Sequence, residues 1–211
     1  MKPILFNTEM VLAILDGRKT QTRRVVKFPD GMTGRLPRDG TRNILFYPGG
    51  IKRPPYMPGD ILYVRETWVK LFYVDENGRT HYVKEVFYYA ADGDPDVTLC
   101  DADGFLLDDQ RITWKPSIHM PKEAARIFLR VTGVRAERLR DITEVDAEKE
   151  GLYKGWRLSG KGSLALSARQ AFMWLWETIT RDGPACRKWA CNPWVWVIEF
   201  ERCEKPKEET L

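Results

Sequence analysis

The chain has 211 residues, 43% of them hydrophobic, which is enough to bury a sizeable core and excludes wholesale disorder. Its net charge of +4 is mildly basic, compatible with a nucleic-acid partner but too small to establish one. No apolar run approaches the length of a bilayer span, and Met1-Lys2-Pro3-Ile4-Leu5-Phe6-Asn7 carries no signal-peptide core or cleavage site, so the sequence predicts a cytoplasmic protein with no membrane partner.

In chain order, Ile4–Phe6 reads as a short strand. Asn7 or Thr8 then caps a helix whose Met10, Val11, Ile14 and Leu15 recur at helical spacing, and Gly17 stands at the C-cap position. Thr22–Phe28 reads as a strand. Residues 29–59 hold twelve Gly or Pro, which forbids regular structure through most of the segment. Ile61–Leu71 reads as one strand after the Pro58-Gly59-Asp60 turn, and Asn77-Gly78 as a hairpin leading to a strand over 81–90. Residues 92–109 form an acidic excursion, Ile112–Trp114 a short strand, and 115–121 a loop fenced by Pro116 and Pro121. Alternation of Ile127, Leu129 and Val131 predicts a strand over Ala125–Leu139, with its arginines pointing outward. Thr143–Glu150 is a short acidic helix ended by Gly151. Ser167–Arg181 is the clearest helix, with a Ser167/Gln170 capping box and one stripe through Ala168, Ala171, Phe172, Leu175, Trp176 and Ile179. Trp194–Phe200 closes the list of strands. The order is that of an α+β fold with a curled antiparallel sheet.

The four cysteines, Cys100, Cys186, Cys191 and Cys203, are scattered and suggest no disulfide framework. The Cys186/Cys191 spacing is allowed for zinc, but no second close pair accompanies it and the only histidines are His81 and His119, so no metal and no cofactor is expected. Eight Trp, where average usage gives about three, point to a heavy aromatic core or a stacking surface. Trp68, Trp114 and Trp156 are candidates to stack on a base, whereas Trp176, Trp194 and Trp196 read as core.

The segment Gly17-Arg18-Lys19-Thr20-Gln21-Thr22-Arg23-Arg24 gathers charged and hydroxyl groups on one short turn where a helix hands over to a strand. With Pro58–Glu66, Phe128–Glu150 and Trp196–Phe200, it resembles the pattern of the ASCH family, and the stretch from Trp114 to Pro121 resembles the expanded members found in phages and prophages. Gly17, Lys19 and Arg24 match the signature, while Thr22 stands where Glu is usual. The resemblance implies a single PUA-like β-barrel domain over 1–203 with flanking helices, long insertions at about 29–57 and 72–115, and a charged tail over 204–211. It also implies RNA, a nucleotide or a modified nucleoside as partner.

Gly17, Arg18, Lys19, Thr20 and Thr22 are further similar to the turn of the shorter ASCH enzymes that deacetylate acetylcytidine, and Glu150 takes the place of those enzymes' helix glutamate. The implied catalytic trio is Lys19, Thr22 and Glu150, with Arg23, Arg24, Arg65, Glu66, Trp68 and His119 as substrate-binding candidates. Amide cleavage needs a nucleophile, a base and a receiver of negative charge. Thr22 supplies a hydroxyl. Lys19 serves as base only if burial and neighbouring arginines lower its pKa, which Glu150 opposes. None of the trio is expected to matter for core packing.

The residues also admit plainer roles. Lys19 and the arginines read equally as a solvated basic turn, and Glu150 as a surface partner of Lys149 or Lys154. Glu66 reads as the partner of an arginine on a neighbouring strand, and His119 as a loop histidine satisfied by backbone. Two functions therefore stay open: a hydrolase acting on a modified nucleoside, and a non-catalytic RNA- or nucleotide-binding module of phage origin. A phage interaction protein lacks an oligomerisation signature, and a ribonuclease lacks a histidine pair.

Overall fold

Two helix starts are set by side chains that reach back to the backbone. Ser167 Oγ accepts from Gln170 N at 3.3 Å while Gln170 Oε1 accepts from Ser167 N at 3.0 Å. Thr143 and Asp146 form the same reciprocal pair. Each box satisfies first-turn donors that have no partner inside the helix. A computed structural model describes residues 1–29, 31–74, 86–100, 111–153 and 166–206. Its elements are β1 (Lys2–Leu5), α1 (Thr8–Leu15), β2 (Gln21–Val25), β3 (Leu45–Tyr47), β4 (Gly50–Lys52), β5 (Ile61–Arg65), β6 (Trp68–Val74), β7 (Val86–Tyr89), β8 (Thr98–Cys100), β9 (Phe128–Arg138), α2 (Glu144–Lys149), α3 (Ala168–Ile179) and β10 (Trp194–Cys203), joined by short 3-10 turns.

The chain divides into two compact units. The first takes residues 1–12, 62–128 and 205–206, and the second 13–61 and 129–204. In the first unit β1 runs parallel to β5, from Lys2 opposite Leu62 to Leu5 opposite Arg65, and β6 pairs antiparallel with β7 and β8. In the second unit β10 lies between β9 and β2 and runs antiparallel to β2, with Val197 opposite Arg23 and Glu199 opposite Gln21. The α3 stripe buries Ala168, Ala171, Phe172 and Trp176 against Leu139, Ile142, Ala147, Val195 and Val197. The fold is α+β with a mixed sheet and few helices, and among the described residues the strand pairings close no barrel. No helix among the described residues is long and apolar enough to cross a membrane.

Several expected boundaries shift for local reasons. The strand expected over Ile61–Leu71 is broken after Arg65, because the buried Glu66 turns its backbone N–H to Met120 Sδ at 3.2 Å and its carboxylate to Arg126. Residues 112–114 form no strand; the neighbouring Lys115 makes only an isolated bridge to Trp68. The strand expected from Ala125 begins at Phe128, since residues 122–124 make a 3-10 turn after Pro121. Within the Gly/Pro-rich segment, Pro48-Gly49 closes the small β3–β4 hairpin, with Gly49 at φ 113°. The Asn77-Gly78 hairpin, the second half of the acidic excursion and Trp156 lie outside the described residues.

Ser167→Ala removes one half of the α3 box. It is expected to cost about 1 kcal/mol and to lower the melting temperature by about 2–4 °C for a chain of this size, read by thermal and urea denaturation at unchanged urea m-value.

Candidate functional site

Gly17 adopts φ 74°, which a side chain disfavours, and turns the chain out of α1. The next residues are then fixed by backbone bonds. Lys19 N donates to Ala13 O at 2.9 Å, Thr20 N to Lys149 O at 2.8 Å, and Phe200 N to Thr20 O at 2.9 Å. The turn is thereby stitched to the end of α2 and to β10, and Lys19 is bridged to Glu150, the C-cap residue of α2. Gly151 makes this approach possible. It has φ 97°, and a Cβ there would lie 2.8 Å from Ala13 Cβ and 3.2 Å from Lys19 Cβ.

The result is a buried ion cluster. Lys19 is 2% exposed, Glu150 6% and Arg23 4%. Lys19 Nζ donates to Glu150 Oε2 at 2.8 Å and to Glu150 O at 2.9 Å. Arg23 Nη1 donates to Glu150 Oε1 at 3.1 Å, and Arg23 Nη2 to Glu137 Oε2 at 3.3 Å, with Asp146 Oδ2 at 3.7 Å. Gln21 Nε2 donates to Asp146 O at 2.8 Å. Arg135 bridges Glu137, Glu199 and Asp146. Arg23 also lies over the Phe172 ring at 5.8 Å. Two polar atoms of the cluster, Gln21 Oε1 and Arg23 Nε, have no hydrogen-bond partner among the described residues.

Burial pushes the Lys19 ammonium below its ordinary value. Glu150 opposes that shift, and the charges of Arg24 and then Arg23 add to it. Burial lowers the Arg24 guanidinium as well, against Tyr56 and Glu150. Thr22 and Arg24 alternate with Gln21 and Arg23 along β2, so they occupy the strand's other face. Thr22 is 4% exposed, and among the described residues its hydroxyl has no hydrogen bond.

Lys19, Arg23 and Glu150 are thus in direct contact, Arg24 acts on them through its charge, and Thr22 stands on the same short strand. The solvated basic turn is corrected: Lys19 and Arg23 are interior residues, and Glu150 meets them rather than a surface lysine. Arg126 and Arg135, expected to point outward, are half-buried and paired.

The remaining candidates belong to the first unit. Glu66 is 1% exposed and bound in a two-pronged pair by Arg126, Nε to Oε1 and Nη2 to Oε2, both at 3.0 Å. Arg126 also reaches Asp92 at 2.6 Å and stacks 3.9 Å from the Tyr89 ring. Burial raises the Glu66 carboxyl above its ordinary value, against the pull of Arg126. Arg65 donates to Ile118 O, tying down the short turn that carries the exposed His119. Trp68 is buried under Lys115 Nζ, 5.2 Å from the ring, and its indole N–H is unpartnered among the described residues. Trp114 Nε1 donates to Asp94 at 3.2 Å.

Glu137, Asp146, Gln21 and Arg135 were not anticipated. The available signal was the i, i+2 spacing of Arg135 and Glu137 on one strand face. Among the described residues no group of three His, Cys, Asp or Glu is placed to hold a metal ion.

With its pKa lowered, Lys19 loses its proton in the folded chain below the 10.5 at which it titrates unfolded. Between those two points the unfolded chain binds more protons, so stability rises with pH through the window and levels off above it. The melting temperature of wild type minus that of Lys19→Met is therefore expected to rise as pH climbs toward 10.5. A difference that falls over the same range would show a lysine held charged.

Comparison of the chain with protein-family models, with curated proteins and with solved structures finds no match.

Proposed function

We propose that this chain binds a modified nucleoside, nucleotide or RNA and hydrolyses an amide on an exocyclic base amine, through Lys19, Thr22 and Glu150, with the mixed α+β sheet taken as that of a PUA-like, ASCH-type protein. The observation that carries the reading is the buried Lys19–Glu150 contact at 2.8 Å, with burial lowering the lysine pKa. A lysine shifted toward its neutral form is better able to accept a proton than an ordinary ammonium.

In this reading the Thr22 oxygen attacks the acyl carbonyl and its proton passes to Lys19 Nζ through an intervening water, because Thr22 stands on the strand face opposite Arg23. Arg24, on the same strand face, receives the charge on the carbonyl oxygen. The C–N bond breaks as Lys19 returns the proton to the leaving amine. Water then cleaves the acyl ester on Thr22 and frees the carboxylic acid.

One observation favours the non-catalytic binding module instead. Both Glu150 oxygens are already engaged, by Lys19 and by Arg23, as in a purely structural ion pair. The two readings part on Thr22.

Lys19→Ala and Glu150→Ala are poor tests, because each strands a buried opposite charge and is expected to cost about 3–5 kcal/mol. This corrects the expectation that the trio is irrelevant to packing. Thr22→Val keeps the shape and removes only the hydroxyl. Wild type is expected to release acetate from acetylcytidine, and Thr22→Val to lose that activity by at least about a hundredfold with nearly unchanged melting. Wild type that binds acetylcytidine without releasing acetate would establish the binding module.

A further inference from the structure

The second unit contains a cavity of about 480 Å³ that none of Lys19, Thr22 and Glu150 lines. Its walls come from the end of β2 and the loop after it, the end of β9, the start of β10 and the turns at 184–191. Among the described residues lining it, Lys27, Arg138 and Arg187 are cationic and none is acidic. No hydrogen bond or ion pair of the Lys27 or Arg187 side chain is found among the described residues. Arg138 donates Nη1 to Asn192 O at 3.1 Å and stacks 4.5 Å from the Trp194 ring, which leaves further N–H groups for a ligand. Three cations, with no carboxylate among the described lining residues, favour an anionic ligand there.

The walls are also fixed in place. Trp194 Nε1 donates to Gly34 O at 2.7 Å and Val26 N to Trp194 O at 2.9 Å. Arg140 holds the far turn through Trp189 O at 3.1 Å and Ala190 O at 2.7 Å, and Asn192 takes the left-handed conformation at φ 46° that redirects the chain into β10. Trp176 Nε1 fastens Arg187 O at 2.9 Å. A pre-formed cavity within the usual size range for small ligands, with apolar walls and few charged groups, fits a small molecule better than a protein surface.

We infer that this cavity binds a small phosphate monoester carried on a flat ring. Lys27 and Arg187 take the phosphate, which matches arginine's fork and lysine's point charge. The ring lies against the apolar wall that includes Phe28 and the Trp194–Arg138 stack. Cys186 and Cys191, both free, exposed and part of the wall, report occupancy, whereas Cys203 does not line the cavity.

The probe is phenyl phosphate, with phenol and inorganic phosphate as the two comparison arms. Calorimetric titration of the full chain is expected to show phenyl phosphate binding more tightly than either arm. Saturating phenyl phosphate is expected to slow iodoacetamide labelling of Cys186 and Cys191, resolved by mass spectrometry, and to leave Cys203 labelling unchanged. The double variant Lys27→Gln/Arg187→Gln, made at sites whose side chains have no hydrogen bond or ion pair among the described residues, is expected to weaken binding by about tenfold or more, and Thr22→Val to leave it unchanged. Absence of binding, phenol binding as tightly as phenyl phosphate, an unaffected double variant, labelling without protection, or loss of binding in Thr22→Val would each overturn the assignment.

Discussion

Glu150 keeps its carboxylate inside the second unit because two cations meet it there, Lys19 Nζ at 2.8 Å and Arg23 Nη1 at 3.1 Å. Removing an ion from water costs several kcal/mol even after relaxation, so each of the three side chains is tolerable only in the presence of the others. The contact also decides the path of the backbone. For Lys19 to reach Glu150, Gly17 must turn left-handed after α1, Gly151 must stay without a side chain, and the last turn of α2 must lie beside the start of β2. The Thr143–Asp146 capping box fixes where α2 begins, and Asp146 then serves twice, as cap and as partner of Arg23 and Arg135.

The charges in this cluster balance. Lys19, Arg23 and Arg135 face Glu137, Asp146, Glu150 and Glu199, and Arg24, acting on Lys19 and Glu150 through space, supplies the fourth cation. A balanced cluster is self-supporting, which is why it does not by itself announce catalysis. It has one asymmetry: at Lys19 burial outweighs Glu150 and holds the ammonium below its ordinary value.

Much of the scaffold was legible. Period and caps placed α3 to within a residue or two, because Ser167/Gln170 and the apolar stripe act locally. The alternation of Ile127, Leu129 and Val131 gave β9, and the resemblance put Lys19 and Glu150 together although 131 positions separate them. What escaped was set by distant partners. Nothing near Glu66 in sequence shows that Arg126 will bind it and break the strand. Nothing near Arg135 or Glu137 distinguishes a solvated strand face from one facing Arg23, since the same residue types serve both. The run from Arg18 to Arg24 misled in the opposite direction, because charge density in sequence does not reveal burial.

That run bears on what kind of ligand the chain can take. A long polyanion needs a row of accessible cations whose counterions it can release. Here Arg18 donates to Asp16 and to Gly151 O, Lys19 and Arg23 are sealed against carboxylates, and Arg24 is half-buried. Arg126 and Arg135 are likewise committed to carboxylates. To bind phosphates, these arginines would first have to give up charge-assisted bonds of comparable strength. The run from Arg18 to Arg24 is therefore a poor electrostatic track for extended nucleic acid.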